Sequence, residues 1–468
     1  MNSSIRFDYS NLMQEVIGKE GISKKELSGY KSVSTRYRDE MKKEYESGGL
    51  KFLSLPFNKQ YAKEALKFAK ERINKYENFV VLGIGGSALG NIALLTALGH
   101  PYYNIVSKKE RKGSPRIFIL DNIDPDQFYG FLETIDIRKT LFNVVSKSGE
   151  TAETMSQFLI IYDMLNRKLG KKHKNNLVIT TDASKGFLRK IIEKENYDSF
   201  VVPDGVGGRF SILTPVGLLS SAFAGIDINN LLKGAASIVE MFLKNDYLKN
   251  PTMLNAALHY HFDTQKGNNI SVMMPYSYKL KDFADWYRQI WAESLGKKFN
   301  LKGKEVFTGQ TPIKALGVTD QHSQVQLYTE GPNNKIFTFL SVDDFDNTIK
   351  IPKLFKEIDG LAYLGNHSLN ELMTFERIGT ELALKAAKRP QCQILFPKVN
   401  AFTVGQFIMF YEIQTALSGK FYQINPYDQP GVEAGKKVAY ALMGRKGYED
   451  YQKEILKQLS KKETSFFV

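Results

Sequence analysis

Four short apolar runs decide what the middle of this chain can become. Residues 79–82 (FVVL), 117–120 (IFIL), 141–145 (LFNVV) and 177–180 (LVIT) are too short for helices, and the stretches between them carry helical spacing. Strands that read as unbroken apolar runs, rather than as an alternation, are buried on both faces, as in a parallel sheet covered by helices. The spacing therefore predicts βαβ units and an α/β domain. A second set at 270–274 (ISVMM), 336–340 (IFTFL) and 393–395 before Pro397, with helical stretches at 282–294 and 401–417, predicts a second one.

Before the first run, Tyr61, Ala65, Phe68, Ala69 and Ile73 recur at helical spacing. The reading is an N-terminal helical region over 1–78, a first α/β domain over 79–230 and a helical linker over 231–265. A second α/β domain covers 266–442, and a C-terminal helical tail covers 443–468. At 468 residues, 43% of them hydrophobic, the chain can bury a core without disulfides. Cys392, its one cysteine, cannot pair within the chain and reads as a buried structural thiol in a reducing compartment. The N-terminal stretch lacks the apolar h-region of a signal peptide. The longest apolar stretch, 217–226, falls short of the roughly 18 residues of a membrane span, so a cytoplasmic protein with no membrane partner is expected.

The formal charge of +14 (64 minus 50) suits anionic partners, but the bases are dispersed. Lys171, Lys172, His173 and Lys174, expected in a loop, and Lys461 with Lys462 lack the aromatic interleaving of a single-strand binder. They read as solvated faces, and no nucleic-acid partner is expected.

Chemistry is concentrated in loops. GIGGSALG (83–90) directly follows the first run, and Gly83, Gly85 and Ala88 fit the dinucleotide pattern G-x-G-x-x-G/A. The acid expected about 20 residues further on is missing, since the chain there reads YYNIVSKKE. The glycines still let backbone N–H groups approach an anion at a helix start, with a tight structural turn as the alternative. SKSGET (146–151) follows the third run and sets Ser146, Lys147, Ser148 and Thr151 at a strand-to-helix turn. That is a phosphate cradle, provided Glu150 and Glu153 point away, or else a plain N-cap cluster. No G-K-S or G-K-T occurs, so a P-loop is excluded; HExxH and CxxC are also absent, and no metal site is expected. Four ionisable residues stand in distinctive contexts: Arg209 in GGRFS, Glu293 beside aromatics in WYRQIWAESLGK, His322 in GVTDQHSQVQLYTE and Lys436 in DQPGVEAGK. Taken singly, each also has an ordinary structural reading. Lys436 stands at an apparent helix start, which the helix dipole does not reward, and binding an anion would explain it.

Six motifs, GIGGSALG, SKSGETAET, DGVGGRFSILTPVG, WAESLGK, GVTDQHSQVQLYTEGP and NPYDQPGVEAGK, occur in this order over 80–442. Together they resemble the phosphoglucose isomerase family, in its short bacterial form. The resemblance implies two flavodoxin-like sugar-isomerase (SIS) domains, a homodimer with shared active sites and no cofactor. The implied reaction is the glycolytic and gluconeogenic interconversion of glucose 6-phosphate with fructose 6-phosphate through a cis-enediolate. By motif position, Ser146, Ser148 and Thr151, with the backbone near Lys147, match the phosphate clamp, and Gly86 and Ser87 line the sugar pocket. Glu293 matches the catalytic base and Gln289 a substrate-contacting glutamine. His322 matches the ring-opening histidine, which in this family comes from the partner subunit. Lys436 matches the lysine at the ring oxygen with Gln429 beside it, and Arg209 matches the residue facing the enediolate. A non-catalytic sugar-phosphate regulator on the same type of domain would keep the SKSGET cradle but has no use for Glu293, His322 and Lys436 together.

Overall fold

The computed structural model describes residues 4–461. Lys462 with the end of the 443–468 tail, and the first three residues of the N-terminal region, lie outside them. In chain order the strands are β1 (Arg6–Asp8), β2 (Asn78–Leu82), β3 (Arg116–Leu120), β4 (Thr140–Val145), β5 (Leu177–Thr181), β6 (Asp198–Val201), β7 (Ile270–Pro275), β8 (Lys297–Phe299), β9 (Glu305–Thr308), β10 (Thr311–Lys314), β11 (Lys335–Asp344) and β12 (Gln391–Lys398). The helices that position the site and the core are α1 (Lys59–Arg72), α2 (Leu89–Leu98), α3 (Ala152–Leu169), α4 (Ile228–Lys244), α5 (Pro251–Lys266), α6 (Lys281–Leu295), α7 (Leu369–Ala386), α8 (Ala401–Tyr422), α9 (Glu433–Leu442) and α10 (Glu449–Ser460).

The apolar runs form two parallel sheets. The first has the order β3-β2-β4-β5-β6, parallel throughout. Counted from β2 this is the 2-1-3-4-5 order of a flavodoxin-like doubly wound fold, whose crevice opens where the strand order reverses, here between the carboxyl ends of β2 and β4. The second sheet, β1-β12-β11-β7-β10, repeats that order from β7 over four parallel strands. The molecule is α/β, with two flavodoxin-like sheets and substantial helical packing around them.

Several elements differ from the expectation, each for a physical reason. The N-terminal region is mostly helical, yet Arg6–Asp8 pairs antiparallel with β12, Arg6 opposite Leu395. Three residues cannot display a period. β6 and β10 are edge strands with exposed positions and no apolar run, and Pro312 suits an edge, where a missing N–H costs no ladder bond. The basic run at 171–174 is a 3₁₀ turn rather than an open loop, and His173 is buried, its Nε2 2.8 Å from Tyr197 Oη.

The stretch 231–265 is packed into the centre of the molecule. α4 crosses α8 almost backbone to backbone: a Cβ on Gly234 would stand 1.9 Å from the Phe402 carbonyl oxygen, and one on Gly405 1.9 Å from that of Leu231. α8 is buried on all faces for most of its length and carries Glu412, which is wholly buried with neither oxygen hydrogen-bonded. Burial pushes the Glu412 carboxyl well above the usual carboxylate range, and pushes the Cys392 thiol up to about 12. Among the described residues no helix is long and apolar enough to cross a membrane.

Candidate active site

The crevice beyond β2 and β4 is built by close approach of loops. Gly85 has φ +56°, a conformation that favours glycine, and a Cβ there would meet Gln289 Nε2 at 3.1 Å. Gly86 leaves no room at all: a Cβ would stand 2.3 Å from Gly208 C and 2.6 Å from Arg209 N. The glycines of the first loop thus let the 207–211 loop lie directly against it, with Ser87 half-buried between β2 and α2.

Across the crevice, Ser146 is buried at the end of β4 and its hydroxyl pairs with Thr151 Oγ1 at 2.9 Å. Gly149 N–H donates to Ser146 Oγ at 3.2 Å and Glu150 N–H to Ser148 Oγ at 3.2 Å, so the loop curls over its own hydroxyls. Thr151 precedes α3 but makes no side-chain cap, which leaves the first-turn N–H groups of that helix without a side-chain acceptor from it. Lys147 turns its ammonium to the Val206 carbonyl at 2.8 Å, tying this loop to the one that carries Arg209. Glu150 is turned toward Arg445, 3.9 Å away.

A cluster of charge lies at the end of α6, which packs against α2 behind the first loop. The Arg209 side chain is only 2% exposed and spends its donors on four groups: Ser294 Oγ at 2.7 Å, Gln429 Oε1 at 3.1 Å, and the carbonyls of Pro426 at 2.6 Å and Asp428 at 3.0 Å. Its Nη1 also stands 3.5 Å from Glu293 Oε1. The other carboxylate oxygen, Oε2, accepts from Gln289 Nε2 at 3.0 Å, one helical turn back. Gln289 Oε1 is buried with no partner. Burial pulls the Arg209 pKa down, while Glu293, Asp428 and Tyr427 oppose that shift. The result is a half-buried carboxylate held between an amide and a desolvated cation.

The fold thus brings together Gly86, Ser87, Ser146, Lys147, Ser148, Thr151, Arg209, Gln289, Glu293 and Gln429 around one crevice. The other two sequence candidates are exposed. Lys436 is exposed in the first turn of α9 and pairs with Glu433 at 2.8 Å. His322 is exposed in a short turn beyond β10, at the edge of the second sheet. Two contributors were missed from sequence. Ser294, adjacent to Glu293, orients Arg209. Lys297, 5% exposed, donates to the carbonyls of Glu293 at 2.8 Å and Asp428 at 2.9 Å. The available signal was the lysine ending WAESLGK just past a helix terminus.

Comparison with known proteins bears on this arrangement. The family model described as phosphoglucose isomerase matches residues 67–454. A glucose-6-phosphate isomerase of Carboxydothermus hydrogenoformans is 46% identical over 466 residues, 99% of this chain and 100% of that one. One of Rubrobacter xylanophilus is 42% identical over 448 residues, covering 95% and 99%. Among solved structures, a protein of Thermus thermophilus superposes with a TM-score of 0.84 at 33% identity, covering 94% of this chain and 100% of that one. A glucose-6-phosphate isomerase of Chlamydia trachomatis gives a TM-score of 0.72 at 25% identity, covering 86% and 77%.

Proposed function

The chain belongs to the phosphoglucose isomerase family and catalyses the reversible conversion of glucose 6-phosphate to fructose 6-phosphate, and we propose that the β2–β4 crevice is where it does so, with Glu293 as the base. The observation that carries this reading is the Glu293 carboxylate, oriented by Gln289 and faced by Arg209 at 3.5 Å. Such a group takes the C2 proton and returns it at C1, a transfer that general-base catalysis accelerates about 100- to 10,000-fold. The charge that grows on the enediolate oxygen falls to Arg209, whose desolvation makes its field stronger than it would be in water. A non-catalytic sugar-phosphate binder would have no use for that pairing.

The phosphate binds at the hydroxyls of Ser146, Ser148 and Thr151, the backbone around Lys147 and the start of α3, so that binding energy far from C1 and C2 orients the reacting carbons. Gly86 and Ser87 line the sugar, and the unpartnered Gln289 Oε1 accepts from a sugar hydroxyl. Gln429 adds a second amide beside Arg209.

Ring opening needs an acid at the ring oxygen and a base at the anomeric hydroxyl. Lys436 and His322 divide that work. Lys436 serves from the first turn of α9, where it is exposed and paired with Glu433 at 2.8 Å. His322 serves the site of a second copy, in a homodimer. Supporting this, Gln321 beside it is bonded to Glu376 of α7, and α7 exposes Phe375, Ile378 and Leu382 nearby, an apolar face of the kind a partner subunit covers. The same reading puts the enzyme in the cytoplasm with its phosphorylated substrate. Turnover of fructose 6-phosphate in a coupled assay containing EDTA, lost in Glu293→Gln, is the expected result; turnover retained in that variant would move the base elsewhere.

A further inference from the structure

Resting on Glu293 as the base, we propose that Lys297 is a positioning residue for the isomerisation, locking the backbone of the base to the loop that carries Gln429. Glu293 sits in the last turn of α6, where carbonyls lack intrahelical donors. Lys297 Nζ supplies one, at 2.8 Å from the Glu293 carbonyl oxygen, a placement that the negative end of a helix dipole favours for any cation. A surface lysine would serve that purpose. This one is 5% exposed, and a buried ammonium is tolerated only when its N–H groups are taken up.

Two of them are taken up by backbone, the Glu293 carbonyl and the Asp428 carbonyl at 2.9 Å, and Asp428 Oδ1 faces the charge as an ion-pair partner at 3.6 Å. The Asp428 carbonyl also accepts from Arg209 Nη2 at 3.0 Å, and Gln429, the next residue, accepts from Arg209 Nη1 at 3.1 Å. Two buried cations therefore share one carbonyl. Through it they couple the end of α6 to the 426–429 loop. Buried, and bonded to two backbone carbonyls, Lys297 acts on where Glu293 and Gln429 stand. Burial lowers its pKa, with Arg209 adding to that and Asp428 and Glu293 opposing it.

The test is Lys297→Met, of similar volume and without the charge, assayed on fructose 6-phosphate beside Lys297→Arg and Glu293→Gln. The expected result is a kcat loss of about tenfold or more, since small misplacements of a base are costly, with KM within about threefold because the phosphate loop belongs to a different sheet. Lys297→Arg should recover at least part of the lost kcat. The proposal is overturned if kcat of the Met variant stays within about twofold of the parent, if KM worsens in step with kcat, or if Arg is no better than Met. If the Met variant does not fold, Lys297→Gln takes its place under the same criteria, and failure of both to fold makes Lys297 a residue of core stability and overturns the proposal. An active Glu293→Gln refutes the base assignment independently; an inactive Glu293→Gln beside a fully active Lys297→Met leaves the base standing and removes Lys297.

Discussion

Both carboxylate oxygens of Glu293 are oriented before any substrate arrives, one by Gln289 and one by Arg209. Glu293→Gln keeps the shape and loses the proton acceptor. Turnover should fall by a factor on the order of 100 to 10,000, while competitive inhibition by a phosphorylated sugar acid changes by less than about tenfold. Two titratable residues in the core give a pH signature with opposite signs. Burial lowers the pKa of His259 to about 4 from 6.5, so between those values the unfolded chain binds the proton and the folded one does not. Stability from this group is complete above pH 6.5 and is lost as pH falls toward 4, by about 3 kcal/mol in all at about 1.4 kcal/mol per pH unit. Glu412, raised by burial, keeps its proton in the fold and releases it on unfolding, so its contribution declines as pH rises above 4.5. Urea unfolding should therefore find that Glu412→Gln gains stability over the parent as pH rises, whereas His259→Asn loses the parent's fall below pH 6.5. The site loops were legible because glycines and hydroxyls follow apolar runs directly, so a strand end and a helix start announce them. Lys297 was not legible, because its meaning lies in a hydrogen bond to a residue 131 positions away.

Among the elements, the strands that could be read are those with an unbroken apolar run, including β3 at the edge of its sheet. β2, β4 and β5 are buried at every position, and β7 and β11 nearly so. Strands without such a run escape the same reading: β8 and β9 form a two-stranded ribbon with mostly exposed residues, yet they close the end of α6, Thr308 Oγ1 donating to the Leu295 carbonyl at 3.0 Å. α8, expected over 401–417, runs on to Tyr422. A helix that is buried all round has no polar face to set its phase, so its far end is harder to read than its existence. Its contact with α4 depends on the absence of two side chains. Gly405→Ala or Gly234→Ala should force the helices apart and cost about 1–3 kcal/mol in urea unfolding, because each new methyl lands on a carbonyl oxygen 1.9 Å away. Unchanged stability in both would mean that the helix pair yields more easily than this packing implies.

The described residues carry the same strand order twice, and the proposed site lies at the first switch point. At the second switch point, beyond β7 and β11, a cavity of about 240 Å³ is lined by Val342, Phe345, Met373 and Val399. Its lysines are already matched to acids, Lys279 with Asp346 and Lys398 with Asp344 and Asp346. The proposed dimer makes the first crevice depend on a second chain, and that has a quantitative test. Mixing inactive Glu293→Gln with inactive His322→Ala subunits yields mixed dimers in which one site bears both lesions and the other none. With free exchange of equal amounts, about one quarter of wild-type activity should return under two-fold symmetry. Background activity despite demonstrated exchange would assign His322 to its own chain. The edge strand β1 adds a constraint in time rather than in space. Arg6 pairs with Leu395, so β1 has no partner until roughly 390 further residues have been made, on the order of 20 to 80 s at 5 to 20 residues per second. Throughout that interval Phe7 lacks the ring of Phe410, and the Ile5 N–H lacks Gln406 Oε1, its acceptor in the finished fold. On the ribosome, β1 is among the last strands to be paired.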